Sequence, residues 1–296
     1  MMRYLIYPLV PFLVLLTAVS LACILAYFVM LGIGDHFPLR KIISKSSQIL
    51  LVLSIFPAMK ILNINRTQLG FAEKPLFLKQ LLQGFVLGFF TLIPVFIVLY
   101  VLKINVIDDA QQWTASLVAK KMLIALFFAL IISLIEEPLF RGILITGLNK
   151  KLPVIAAILI SSIYYAGLHF LDSHIEIPYQ NITWFSGFTL MSDAFTGLLN
   201  PEFVSTFLAL FMVGIFLAGV RTQIKSSLGL CIGCHTCWVW QIKMSKSLFN
   251  TDFNSPYAFL VSHYDGVIGP LVTGWLMLAL VFFWLFRKKM LLNTDR

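Results

Sequence analysis

Apolar residues along this chain come in long unbroken runs, without the short alternation of soluble strands and helices. A run of about twenty such residues is what a helix needs to cross a hydrocarbon core roughly 30 Å thick. Eight can be read, roughly residues 4–33, 46–62, 80–102, 121–148, 152–171, 203–220, 226–241 and 266–286. The second and seventh are short. The pattern predicts an all-α, polytopic membrane protein of about eight transmembrane helices, forming a single integral-membrane domain over 1–296. The first run continues past Ser20-Leu21-Ala22-Cys23 to Ile33, too long for a cleaved signal h-region, and is expected to be the first span. Lipoprotein-type cleavage before Cys23 is not expected. No repeat or low-complexity tract interrupts the series. The longest polar interruption, residues 172–202, carries Trp184, Phe185 and Phe188 among Asn, Ser and Thr. It reads as an outer loop or an interfacial re-entrant segment.

Composition agrees with this picture, and charge adds an orientation to it. Hydrophobic residues make up 59% of the chain, charged residues 12%, and mean hydropathy is +0.92, where a soluble domain carries about a quarter charged residues. With eight spans, both termini and the second, fourth and sixth loops share one side. That side holds Arg3, Lys60, Arg66, Lys74, Lys79, Lys150, Lys151, Arg221, Lys225, Arg287, Lys288, Lys289 and Arg296, against only Glu73 and Asp295. The other side is near balance. The positive-inside rule places both termini in the cytoplasm, with a bacterial cytoplasmic membrane as the expected setting. The net charge of +9 therefore reads as topology, and no nucleic-acid partner is expected.

Ionisable residues inside such runs change the picture most. The run from Met122 to Ser133 leads into Leu134-Ile135-Glu136-Glu137-Pro138-Leu139-Phe140-Arg141-Gly142, and Ile143-Leu144-Ile145 follows. Charged side chains at bilayer depth cost several kcal/mol, and they mark functional sites by default. Glu137 and Arg141, four residues apart, share a helix face and are expected to pair. Glu136 points about 100° away, with no partner in its own helix, which suits a general base or acid.

Two histidines join this group. His169 ends the run Ser161-Ser162-Ile163-Tyr164-Tyr165-Ala166-Gly167-Leu168, and His235 sits within Leu230-Cys231-Ile232-Gly233-Cys234-His235-Thr236-Cys237-Trp238. At 1.5 Å rise per residue, Glu136 lies about 21 Å from Lys150, His169 about 27 Å from Lys151 and His235 about 15 Å from Lys225. These depths overlap within tilt, so three helices bring the groups to one level. Residues 231–235 also spell C-x-x-C-H, the c-type haem pattern, but inside an apolar span near its cytoplasmic end, where attachment is not expected. Cys231, Cys234, Cys237 and His235 spread around a helix, so at most three face one ion. They read as small buried packing residues, and with Cys23 alone elsewhere no disulfide framework is implied.

The pattern Glu136-Glu137-x-x-x-Arg141-Gly142, then Tyr165-x-x-x-His169, then a late-span histidine resembles the CPBP family, the CAAX prenyl proteases and bacteriocin-processing or immunity enzymes also called Abi. The motif core covers residues 134–239, and Arg66-Thr67-Gln68-Leu69-Gly70-Phe71 is similar to the family's usual lead-in. The resemblance implies eight membrane helices around a central polar cavity and an intramembrane endopeptidase acting on a membrane-associated or lipidated protein or peptide. It implies no cofactor. Glu136 with His169 would activate water, Glu137 would hold Arg141, and His235 would stabilise the oxyanion. The family usually places Asn or another polar residue four positions after this histidine. Here that position is Val239, which donates no hydrogen bond, so the neighbouring Trp238 indole N–H or a backbone N–H would have to compensate. Tyr165 and Arg141 would shape the site.

Three rival readings follow from the same residues. Glu136, His169 and His235 supply the two-His-one-Glu set of a zinc hydrolase, with Glu137 as base. Asp172 and His174 could add ligands but, like His36 and His263, are expected in outer loops. A catalytically weak scaffold or immunity protein would hold a partner peptide in the same cavity, and Val239 favours it. A proton-relaying transporter is opposed by the lack of inverted repeats and paired broken helices.

Overall fold

The computed structural model describes residues 3–292, with side chains over 6–285. Of the orienting charges, Arg3, Arg287, Lys288, Lys289, Asp295 and Arg296 have side chains outside the described residues. In chain order the helices are α1 (Arg3–Ile33), α2 (Leu39–Ile61), α3 (Arg66–Leu69), α4 (Lys74–Val101), α5 (Ala115–Glu137), α6 (Ile145–Asn149), α7 (Val154–Leu168), α8 (Ser186–Gly197), α9 (Val204–Gln223), α10 (Leu228–Leu248) and α11 (Pro270–Leu292). Two short strands, β1 (Asn105–Ile107) and β2 (Phe249–Thr251), pair antiparallel, Val106 facing Asn250. This is an all-α polytopic membrane protein. Among the described residues five helical stretches are long and apolar enough to cross a bilayer, and two shorter apolar helices, Val154–Leu168 and Pro270–Leu285, accompany them. α10, expected to be the seventh span, is not among these apolar stretches.

Two helices outrun the apolar segments that announce them. α2 begins at Leu39 and α10 runs to Leu248, because Arg40, Lys41, Lys45, Lys243 and Lys246 occupy helical turns that a hydropathy reading ends early. Long basic side chains keep their stems on apolar surface and their heads in a wetter place, so such turns remain helical. Residues 172–202 form no span. Their one α-helix, α8, packs on α1, and a Cβ at Gly187 would stand 2.7 Å from Cys23 Cβ.

α5, the turn Pro138–Leu144 and α6 make one continuous rod over Ala115–Asn149. Pro138 has no N–H, so the i→i−4 ladder cannot pass through it. The rod accommodates this by widening into a π turn over Pro138–Leu144, a local irregularity that recurs at functional sites. The buried residues of that turn are Phe140, Arg141, Gly142 and Ile143.

α10 is the central helix, packed on α4 and α5 and touching α9. Its approach to α4 depends on glycine. A Cβ at Gly84 would lie 2.1 Å from Leu230 O, and one at Gly233 would lie 2.0 Å from Leu81 O. In lipid, where apolar side chains gain nothing by leaving solvent, such small-residue contacts supply the packing. The segment before α4 is equally fixed. Asn65 and Gln68 form a capping box, Arg221 Nη2 donates to Gln68 O at 2.8 Å, and Leu228 N donates to Gly70 O at 2.9 Å. Leu69 then packs against Gly142 of the π turn.

Candidate active site

The last turn of α5 presents its two glutamates to different surroundings. Glu137 is completely buried. Its Oε1 accepts from Arg141 Nη1 at 3.0 Å and from His235 Nδ1 at 2.7 Å. The expected Glu137–Arg141 pair is thus present, with His235 of α10 as a third member that the spacing did not announce. The Arg141 guanidinium also lies 4.1 Å over the Tyr165 ring, a cation–π contact. A charge this deep is tolerable only when paired, and removing one partner strands the other.

Glu136 keeps 27% of its side chain exposed and approaches His235 Nε2 with Oε2 at 3.9 Å. That oxygen is itself buried and has no hydrogen-bond partner among the described residues. His235 therefore sits between the two carboxylates, one on each ring nitrogen. The side held by Glu137 fixes its tautomer. A carboxylate already engaged by an arginine can only accept, so Nδ1 carries the proton and Nε2 faces Glu136.

His169 caps α7. Its Nδ1 lies 2.7 Å from Tyr165 O, and a carbonyl only accepts, so Nδ1–H is the donor and Nε2 is the free edge. Its backbone carbonyl accepts from Tyr264 OH at 3.3 Å. Tyr165 is the hub of the cluster, its ring 4.7 Å from His169 and 6.1 Å from His235 in edge-on contacts, with Phe140 at 5.2 Å. Glu136 and His169 line one cavity of about 880 Å³, within the range of ligand sites. No direct ion pair joins them, and the histidine nearest Glu136 is His235.

The cavity is also lined by Leu15 and Val19 of α1, the N-terminal half of α2, Asp172, and Lys243 of α10. Ile49 and Leu53 of α2 and Phe128, Ile131 and Ile135 of α5 both line it and remain exposed. α2 packs on α1, α8 and the π turn, and α5 on α10, so the cavity opens sideways between α2 and α5. Asp172 lies in the loop after α7 as expected, but it also reaches this cavity wall. His174, His36 and His263 stay apart from it, His263 stacking on Phe253 at 4.8 Å. A second cavity of about 250 Å³, between residues 35–40 and 175–182, holds neither glutamate of the pair nor His169 or His235.

One expected role finds its residue engaged elsewhere. Trp238 is buried against Phe216, and its indole N–H donates to Thr91 Oγ1 of α4 at 2.9 Å. Thr91 was invisible to sequence reasoning, and because of this bond the indole is not free to act as the substitute oxyanion donor. Val239, half-buried, lies one helical turn after His235. Gln241 is buried on α4, its Nε2 donating to Gly88 O at 3.1 Å. The cysteines are equally committed to packing. Cys231 Sγ donates to Leu217 O at 3.5 Å, and Cys237 Sγ accepts from Gln241 Nε2 at 3.4 Å.

Among the described residues no group of three or more His, Cys, Asp or Glu side chains is arranged to hold a metal ion. The Glu136–His235 separation of 3.9 Å is wider than two ligands about 2 Å from one zinc normally show, while the Nδ1 bonds of His235 and His169 leave both Nε2 atoms unengaged.

Residues 118–241 match the profile of a protein family described as type II CAAX prenyl endopeptidase Rce1-like. The matched span contains Glu136, Glu137, Arg141, Tyr165, His169, His235, Trp238 and Val239. No curated protein and no solved structure matches the chain.

Proposed function

We propose that this chain, whose residues 118–241 match the profile of the Rce1-like type II CAAX prenyl endopeptidases, hydrolyses a peptide bond of a membrane-associated or lipidated protein or peptide. The observation that carries the reading is Glu136, partly exposed on the wall of an 880 Å³ cavity, with an Oε2 that has no hydrogen-bond partner among the described residues and His235 Nε2 3.9 Å from it.

In the proposed mechanism Glu136 takes a proton from a bound water, with the free Nε2 of His169 as the second acceptor facing the cavity. The hydroxide adds to the scissile carbonyl. His235, carrying a second proton on Nε2 in this step, donates to the oxyanion, and Glu137 on its Nδ1 side balances that charge. The C–N bond then breaks, and the proton held by Glu136 or His169 passes to the departing amine. Glu137 and Arg141 touch no substrate atom. They fix the orientation of His235, and Tyr165 holds His169 and Arg141 in register.

The opening between α2 and α5 suits a substrate arriving from the bilayer, because the side chains on both lips are apolar. The charge distribution supports a multi-pass membrane protein with both termini in the cytoplasm.

Val239 favours a second reading, a catalytically weak scaffold that retains its peptide. Losing one oxyanion donor typically costs on the order of 10²–10³ in rate. A cleavage assay on membranes separates the two. Enzyme activity that disappears in Glu136→Gln supports the protease, and equal processing by both proteins rejects it.

A further inference from the structure

α10 carries His235, Val239 and Lys243 at successive intervals of four, a single stripe along one helix face. Lys243 lines the same cavity as Glu136 and His169, beside Phe128, Ile131 and Ile132 of α5. The other basic residues near this wall have partners. Arg40 pairs with Glu176 at 3.3 Å, Lys45 donates to Gln48 at 3.1 Å, and Lys246 pairs with Asp265 at 2.5 Å. Among the described residues Lys243 has no ion-pair partner. The Lys243 side chain is half-buried on this wall, so its stem covers apolar surface and its ammonium is left for an anion in the cavity to meet.

We propose that Lys243 receives a carboxylate of the substrate and thereby sets which bond reaches Glu136. This specificity role rests on the protease reading above and extends it. Eight residues of helix separate Lys243 from His235, about 12 Å of rise. An extended peptide advances roughly 3.3 Å per residue, so the anion stands about three or four residues from the scissile carbonyl. A lysine here acts as a point charge on a flexible stem and tolerates either a chain-end carboxylate or an acidic side chain.

The test uses the full chain in phosphatidylcholine nanodiscs, where no anionic headgroup competes. The probes are a fluorescent farnesylated peptide with a free C-terminal carboxylate, its C-terminal amide, and an amide carrying glutamate three residues beyond the scissile bond. Binding is read on the Glu136→Gln background, so it is independent of cleavage. The acid should bind at least about tenfold more tightly than the plain amide, as one charge-assisted contact allows. Lys243→Met should erase that preference, and Lys243→Arg should restore most of it. In cleavage by the otherwise native chain, Lys243→Met should raise KM for the acid far more than it lowers kcat. Rescue by the glutamate amide assigns the anion to a side chain, and failure of that rescue assigns it to the chain end. Equal binding of acid and amide, no measurable binding of either, or a preference that survives Lys243→Met overturns the proposal. Absent cleavage with the binding preference intact would count against the protease reading alone.

Discussion

Glu137 is fully buried and holds Arg141 at 3.0 Å and His235 at 2.7 Å, whereas Glu136, one residue earlier, keeps 27% exposure and faces a cavity. One peptide unit and about 100° of helix rotation separate a carboxylate committed to partners in the bundle from one left open to the cavity. The difference lies in what each carboxylate already holds. Glu137 has its partners in the folded chain, and its removal would strand an arginine. Glu136 retains an unpartnered oxygen, and its removal would strand nothing in the bundle.

The largest expected effect therefore falls on the buried side. Arg141→Ala should lose folded yield, by about 3–5 kcal/mol of stability, measurable as thermal unfolding of the purified protein. Glu136→Ala should unfold within about 1 kcal/mol of the wild type. If both variants unfold alike, the contrast between the two carboxylates is broken.

A smaller effect is expected on the open side. Val239 lies on the stripe of His235, so Val239→Asn adds a donor where none exists. Proteolysis should be preserved or rise by up to about 10²-fold, read as kcat on a membrane reporter. A fall in rate at unchanged stability would place that position outside the oxyanion site.

The smallest effect belongs behind α10. Trp238→Phe removes the N–H bonded to Thr91 while keeping most of the aromatic bulk. It should cost about 1 kcal/mol of stability and leave kcat within about threefold of the wild type. Abolished cleavage by a well-folded Trp238→Phe protein would return the indole to the reacting atoms.

What could be read from the sequence follows from the range of each interaction. The Glu137–Arg141 pair was legible because four residues of helix dictate it. The approach of Glu136 to His235 and of both histidines to Tyr165 agrees with the common level that helix rise suggests. Rotation about the helix axis is not contained in a hydropathy pattern. So the sequence could not say that His235 would bridge both glutamates, that Trp238 would turn to Thr91, or that Lys243 and Asp172 would reach the cavity. The π turn at Pro138–Leu144 had a visible cause in Pro138, yet a proline there is equally compatible with a kink. The close contact of α4 and α10 depends on Gly84 and Gly233 meeting carbonyls of the partner helix, a coincidence of two distant segments that no local signal records.

The most direct measurement compares cleavage of a farnesylated CAAX reporter by the wild type and by Glu136→Gln, with Glu137→Gln as the contrast, all in nanodiscs and normalised to folded protein. The account predicts that Glu136→Gln keeps the wild-type unfolding temperature while its rate falls by about 10² or more, and that Glu137→Gln loses stability first. Wild-type cleavage by a folded Glu136→Gln protein would contradict it.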